Sequence, residues 1–312
     1  MKEYRIVFVC GALRSGTTVT RLILDSHSRI SCPFEFDFAL DFAANVGHVE
    51  TRGYVEWLAT HRIFHDSGLS VRGGVAYRDL VRDFLDQVYR RTGKPLVGGV
   101  VHRNFDLLGQ YWPEADFVHL VRDPRDVARS TMEMGWSGNY WYAGDHWVNT
   151  ERSWDRLQRE IQPDRFIEVK YEDAVGKPVE TFSALCKFLG VLYEPAMLEI
   201  ANASSYSYPD PRYASRWRHA CTARQLRLIE GRAGDLLESR GYSRAITPRE
   251  PPGTLYRAAL GCQNKIHRHL NRVRRLGLSL AAGEIITRRL RLASTNRRLK
   301  ARIDAIVRTT LK

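Results

Sequence analysis

The chain has 312 residues, 44% of them apolar, so it can bury a substantial core as one large domain or a domain with an appendage. Fifteen of the 48 Lys/Arg and two of the 35 Asp/Glu lie from Leu255 onward, leaving 33 of each before it, so a neutral body carries a tail holding the whole +13 excess. Five cysteines, at 10, 32, 186, 221 and 262, are odd in number and never at metal-ligand spacing, which argues against a zinc site or a disulfide framework. The opening "MKEYRIVFVCGA" runs straight into strand-like sequence, with too short an apolar run for a secretion signal or a membrane span. A reduced, soluble, cytoplasmic protein is the expectation.

In chain order, "IVFVC" (6–10) is the first strand-like run, and "GALRSGTT" leads from it into the helical "TTVTRLILDSH". Strand, glycine-bearing loop and helix together form an anion site: backbone N–H groups of the first turn lack intrahelical partners and the helix dipole adds positive charge there. Gly11 and Gly16 allow a tight turn and close approach, Thr17 and Thr18 add hydroxyls, and Arg14 adds a charged fork suited to phosphate-like oxygens. A plain tight turn capped by Ser15 or Thr17 would look similar. The residue after Gly16 is threonine rather than the lysine of a triphosphate-binding loop, which disfavours a magnesium-dependent hydrolase.

Further along, "PLVGGVV" (95–101), "DFVHLV" (116–121) and "RFIEVKY" (165–171) read as buried strands, separated by helical "YRDLVRDFLDQVYRRTG", "RDVARSTMEM" and "HWVNTERSWDRLQREI". Such alternation predicts βαβ units and a parallel sheet, with ligands beyond the carboxyl ends of the strands. "VRDPRDVARS" sets Arg122 at a strand end and Ser130 eight residues on, in the next helix, where they fit a second phosphate. "KPVETFSALCKFLGV" and "TARQLRLIEGRAGDLLESRGY" read as further helices, the second a single helix stopped by Gly241. "TPREPPG" then breaks regular structure.

"GALRSGTTVTRLILDSH" followed by "VRDPRDVARS" resembles the paired motifs of sulfotransferases that use 3′-phosphoadenosine 5′-phosphosulfate, and more narrowly the bacterial relatives of tyrosylprotein sulfotransferases. The likeness runs from about Arg5 to Tyr242 and includes "YWPEADFVHLVRD" and "VKYEDAVGKP". It implies an α/β, P-loop-like three-layer fold with a central parallel sheet, here with a basic helical C-terminal extension. The expected domain bounds are 1–246 for the sulfotransferase domain, 247–254 for a Pro-rich linker and 255–312 for the extension.

The resemblance further implies that Arg14, Ser15, Gly16, Thr17 and Thr18 hold the 5′-phosphosulfate, that Arg122 and Ser130 hold the 3′-phosphate, and that Tyr171 lies near the adenine. "YASRWRHA" is similar to a late segment that closes over the donor, so Ser215 and Arg216 would reach phosphate oxygens beside Trp217 as a packing wall. The donor is the phosphosulfate nucleotide, and no metal is expected. Glu35 in "CPFEFDFAL", surrounded by Phe34, Phe36 and Phe38, matches the family's general base, with Asp37 as the fallback. The family's lysine before the "WP" strand entry is missing. His102 or Arg103 would supply the positive donor from the same strand end, and His102 is also a candidate proton acceptor.

Trp136, Tyr140, Trp141 and Tyr142 are expected in a glycine-bearing loop, where their faces would stack on a sugar or lie packed, while Trp147 and Trp154 belong to the core. The tail reads as two basic helical segments joined by "LGLSLAAG", with Leu292, Leu299, Ile303, Ile306 and Val307 near helical spacing. It fits a docked helix with a solvated basic face, an anionic membrane surface, which would place the protein at the inner face, or a twin subunit. Nucleic acid is disfavoured, because no reading module accompanies the charge. The acceptor is expected to be a small molecule, carbohydrate or glycolipid. The rivals are a nucleotide kinase or hydrolase, and a non-catalytic nucleotide- or polyanion-binding protein.

Overall fold

The computed structural model describes residues 3–46, 49–199, 211–246, 252–289, 295, 299–300 and 302–306. Five strands, β1 (Arg5–Gly11), β2 (Ile30–Ser31), β3 (Leu96–Val101), β4 (Asp116–Val121) and β5 (Phe166–Lys170), form one sheet in the order β2-β3-β1-β4-β5. Every pairing is parallel, with Val9 opposite Val100 on one side and Val118 on the other. The expected α/β architecture with a central parallel sheet is therefore the one found. β2 has only two residues and was not anticipated; so short a run carries no apolar pattern to read.

Helices α1 (Thr17–Asp25), α2 (Phe38–Asn45), α3 (Thr51–Leu58), α4 (Arg62–Ser67), α5 (Tyr77–Thr92), α6 (Phe105–Tyr111), α7 (Pro124–Glu133), α8 (Tyr140–Gln158), α9 (Tyr171–Gly176) and α10 (Pro178–Phe188) build the two outer layers. Strand residues alternate between them, as the pleat requires. Ile6, Phe8 and Cys10 face a core with Phe84 of α5, Leu108 of α6 and Trp154 of α8, while Val7 and Val9 face Ile23 of α1 and Leu185 of α10. Chain from β1 thus leaves toward one face and chain from β3 and β4 toward the other. That reversal opens a crevice at the carboxyl edge around Gly11–Gly16.

Four expectations about elements are corrected. The 38–67 stretch holds three short helices, α2 to α4, where no helix was anticipated. Helix α8 starts at Tyr140, because Asn139 caps it by accepting from Tyr142 N at 3.1 Å, so Tyr140, Trp141 and Tyr142 lie on its first turn rather than in a loop. After α11 (Trp217–Ala220), the helix expected over 222–242 is broken at Gly234 (φ 60°, ψ −140°) into α12 (Ala223–Ala233) and α13 (Leu236–Ser239). In the tail, α14 (Thr254–Leu276) and α15 (Leu278–Arg289) are separated by Gly277 alone, and most of "LGLSLAAG" is itself helical.

Trp147 and Trp154 are buried, as expected, and Trp141 is too, packed on Leu228 and Leu260. Helix α14 docks through Asn264, whose Oδ1 accepts from Gly138 N at 2.7 Å, and through Leu260, whose carbonyl accepts from Asn139 at 2.8 Å. Residues 247–251 of the expected linker, and Leu292 and Val307 of the tail, lie outside the described residues. Among the described residues no helix is long and apolar enough to cross a membrane.

Candidate functional site

The loop after β1 is shaped by close packing. A Cβ on Gly11 would lie 2.6 Å from the Leu120 carbonyl, and Gly16 sits at φ 87° with the Tyr171 ring directly over it. Gly16 is also the N-cap of α1, which has no side-chain cap and no acid in its first turn. Arg14 adopts a left-handed backbone (φ 71°), and its carbonyl accepts from Arg122 Nη1 at 2.8 Å. Ser15 is wholly buried and its Oγ has no partner among the described residues. Leu13 N donates to His146 Nε2 at 3.1 Å. Burial, then the charges of His102 and Arg103, push His146 down to about 4, so it stays neutral and able to accept.

Beside this loop lies a cavity of about 230 Å³ lined by Arg14, Arg122, Ser130, Tyr171 and Arg216, with Arg129 and Asp126 at its wall. Five of the ten residues expected to hold the donor therefore share one cavity, although they come from five separate segments. Arg14 Nε donates to Ser130 Oγ at 2.8 Å. The Arg122 guanidinium stacks 4.1 Å from the Tyr171 ring centre, donates to the Tyr213 carbonyl at 3.1 Å, and keeps a buried Nε without a partner among the described residues. Burial raises Asp126 to about 6 against the pull of Arg122.

The other five do not line that cavity. Ser15, Gly16, Thr17 and Thr18 form the loop and first turn, and Thr17 is turned inward, its Oγ1 3.2 Å from His102 Nε2. Ser215 occupies a left-handed turn (φ 61°) just before Trp217. Trp217 itself is buried, with Arg125 3.6 Å and Arg218 4.7 Å from its ring centre.

A second cluster forms at the end of β3. His102 N donates to Asp37 Oδ1 at 2.9 Å, and His102 Nδ1 lies 2.6 Å from Asp37 Oδ2; both residues are buried. Burial works against charge on His102, but Asp37 and Glu35 outweigh it and raise its pKa. On Asp37, burial is likewise outweighed by His102 and Arg103, and its pKa is lowered. Arg103 points to Asp41, bonding both carboxylate oxygens, one through Nε at 2.7 Å.

Glu35 stands beside Val100, where the segment 34–36 extends the sheet next to β3. The phenylalanines do not surround it. Phe34 and Phe36 project to the opposite side of the extended segment and join the large core with Phe38. Glu35, Asp37 and His102 offer ligand atoms within 4.8 Å of one another. Both nitrogens of His102 are already engaged by Asp37 and Thr17, so a metal would have to displace one of them.

Asp41 and His146 were not singled out from sequence. Each gains its place only by folding, from partners 62 and 133 positions away, and no local signal marks either.

Residues 7–195 match the family described as Sulfotransferase family. Protein-tyrosine sulfotransferase 2 of Gallus gallus is 26% identical over 215 residues, covering 63% of this chain and 54% of that protein. Omega-hydroxy-beta-dihydromenaquinone-9 sulfotransferase Stf3 of Mycobacterium bovis is 25% identical over 182 residues, covering 52% and 45%. The chain thus spans about half the length of these two relatives. The sulfotransferase domain of the Synechococcus PCC 7002 olefin synthase superposes with a TM-score of 0.52 at 20% identity, over 78% of this chain and 97% of that one, and shares the fold. With the family match running from inside β1 past the end of α10, over a parallel sheet whose first loop and fourth strand meet at one cavity, the chain belongs to the sulfotransferase family.

Proposed function

We propose that the protein transfers a sulfuryl group from 3′-phosphoadenosine 5′-phosphosulfate to a hydroxyl, or an amine, of an acceptor. The observation that carries this is the meeting of Arg14 and Arg122 at one cavity, with Ser130, Arg216 and a buried Arg122 Nε that has no partner among the described residues, against a start of α1 that no side chain caps among them. A doubly phosphorylated nucleotide suits such a cradle, because two anionic ends need two separate sets of donors. Arg14, Ser15, Gly16, Thr17 and Thr18 would serve the 5′ end. Arg122 and Ser130 would serve the 3′-phosphate, with Ser215 and Arg216 closing from the late segment and Tyr171 as the ring wall.

The donor supplies an activated sulfuryl group and a phosphate leaving group. The chain's own task is to hold both partners in line and to neutralise charge where it develops. Glu35 accepts the proton of the acceptor hydroxyl as the new O–S bond forms and the S–O bond to the phosphate breaks. Asp37 is a positioning residue that holds His102 in place. A charged His102, donating to Thr17 at the start of α1, supplies the positive charge that the missing lysine would bring. Arg103 is drawn away from that role by Asp41.

No metal is needed for this chemistry, and threonine in place of lysine after Gly16 gives a triphosphate hydrolase no support. A cytoplasmic setting agrees with five free cysteines, three of them buried. Incubation with radiolabelled donor tests the proposal. Label moving to an acceptor supports it, whereas adenosine 3′,5′-bisphosphate raising the melting temperature without any transfer would favour a binding protein.

A further inference from the structure

A cavity of about 780 Å³ lies outside the donor cradle, between α14 and the turns at 60–63 and 135–136. Its size suits a small-molecule ligand. Two of its residues connect it to the chemistry. Trp136 lies 5.9 Å from the Arg14 guanidinium, and His61 packs on Phe38, which opens α2 next to Asp37. The cavity thus flanks both the donor loop and the Glu35–Asp37–His102 cluster.

Its charge is one-sided. Six Lys/Arg side chains line it against Glu284 and Asp304. Lys265, Arg268, Arg272 and Arg275 are spaced three, four and three apart, which puts them in one stripe along α14. Arg272 is neutralised by Glu284, and Arg62 pairs with Asp66. Among the described residues, Lys265, Arg268, Arg275 and Lys300 pair with no carboxylate, Lys300 donating to Thr60 instead, so four cations line a cavity whose other carboxylate is Asp304. Trp136, Ile63, Leu276 and Ile303 add apolar surface beside them. A cavity that pairs a flat apolar wall with several unpaired cations selects an anion of more than one charge, and guanidinium forks match phosphate oxygens.

We propose that this cavity is the acceptor site, that α14 of the basic tail forms its wall, and that the acceptor is a hydroxyl compound bearing a phosphate group. This rests on the sulfuryl-transfer reading above. The phosphate is gripped by Lys265, Arg268 and Arg275, leaving the hydroxyl end to reach toward Glu35. The same chemistry is offered by a soluble sugar or cyclitol phosphate and by a phosphoinositide headgroup at a membrane surface.

The test is calorimetric titration of the full chain saturated with adenosine 3′,5′-bisphosphate, so that the donor cradle is filled. Inositol 1-phosphate is compared with myo-inositol, and phosphatidylcholine vesicles with and without phosphatidylinositol form the second arm. The expected result is that inositol 1-phosphate binds at least about tenfold more tightly than myo-inositol, and that K265Q/R268Q/R275Q abolishes the difference. The three side chains are exposed, and the variant should keep bisphosphate affinity within about twofold of the parent, since distant sites act independently. Binding in the vesicle arm alone assigns the headgroup, and binding in the soluble arm assigns the free phosphate. Equal binding of inositol and its phosphate, with no response to phosphatidylinositol, overturns the proposal, as does a triple variant that binds as the parent does. Failure of the bisphosphate itself to bind strikes the donor reading instead, and the phosphate arms are still read without it.

Discussion

Arg122 Nη1 donates to the carbonyl oxygen of Arg14 at 2.8 Å, tying the end of β4 to the loop after β1 across 108 positions. Its Nη2 reaches the Tyr213 carbonyl, and its plane lies on Tyr171. One side chain therefore sets the relative placement of three segments around the proposed donor cradle, while its Nε has no partner among the described residues. Arg122→Ala is expected to weaken adenosine 3′,5′-bisphosphate by about ten- to a hundredfold, the worth of one charged hydrogen-bonding group. Arg122→Lys should recover only part, because an ammonium cannot stack and fork together. Titration calorimetry reads both, and unchanged affinity in the alanine variant removes β4 from the site.

The pairing of His102 with Asp37 divides the roles at the second cluster. Glu35→Gln is expected to lower kcat by about 10²–10⁴-fold with bisphosphate affinity unchanged, the effect of losing a positioned base. Full activity in that variant reassigns the base. His102 has a raised pKa, so its charge persists above the usual 6.5 and is lost as pH climbs through the folded value. The stability it contributes is fully present below 6.5 and fades above that. Melting temperatures of the parent and His102→Gln should therefore lie furthest apart below pH 6.5 and converge at alkaline pH. kcat should fall over the same alkaline range; a rate that instead rises there would make neutral His102 the proton acceptor.

Much of this was legible in the chain because the long strands carry continuous apolar runs. "IVFVC", "PLVGGVV", "DFVHLV" and "RFIEVKY" correspond to β1, β3, β4 and β5. Short elements were not: β2 has two residues, and α2 to α4 have six to eight each, shorter than the window of about 11 residues in which a helical stripe shows itself. "GNYWYAG" looked like a loop because of its glycine and aromatics, while the decisive signal was the Asn139 cap. In the site, Arg14 and Arg122 could be named because each stands in a local motif. The bond between Asp37 and His102 joins residues 65 positions apart, and that between Arg103 and Asp41 joins residues 62 apart; neither leaves a trace in local spacing.

Asp126 gives a prediction that needs no substrate. Burial, with Asp123 adding to it, holds its carboxyl at about 6, well above the ordinary 3.8, although Arg122 draws it down. Because the folded value lies above the unfolded one, the folded state binds the proton more tightly, and stability falls as pH rises from about 4 through 6. Asn at this position still accepts from Trp217 N through Oδ1, the 2.8 Å bond seen here, but cannot ionise. Asp126→Asn should match the parent at pH 4 and melt a few degrees higher at pH 7, a shift that corresponds to roughly 1–2 kcal/mol in a chain of this size. A gap that does not widen with pH would show that the carboxyl is not titrating in this range.

Gly138 tests whether the basic tail is part of the working molecule. A Cβ there would lie 2.7 Å from Asn264 Cα and 3.0 Å from Asn264 O, both backbone atoms of α14 that cannot rotate away. The same glycine donates its N–H to Asn264 Oδ1, so the helix is held by the very approach that a side chain would forbid. Gly138→Ala is expected to push α14 off α8 at a cost of about 1–3 kcal/mol, the usual range for overpacking. The cavity proposed as the donor cradle is lined by no α14 residue, so bisphosphate affinity should stay within about twofold of the parent. The proposed acceptor cavity would lose a wall, so KM for the acceptor should rise several-fold while cleavage by trypsin between 246 and 257 becomes faster. Loss of bisphosphate binding in this variant would show that the tail also supports the donor cradle, and an unchanged KM with a released helix would separate the tail from the acceptor.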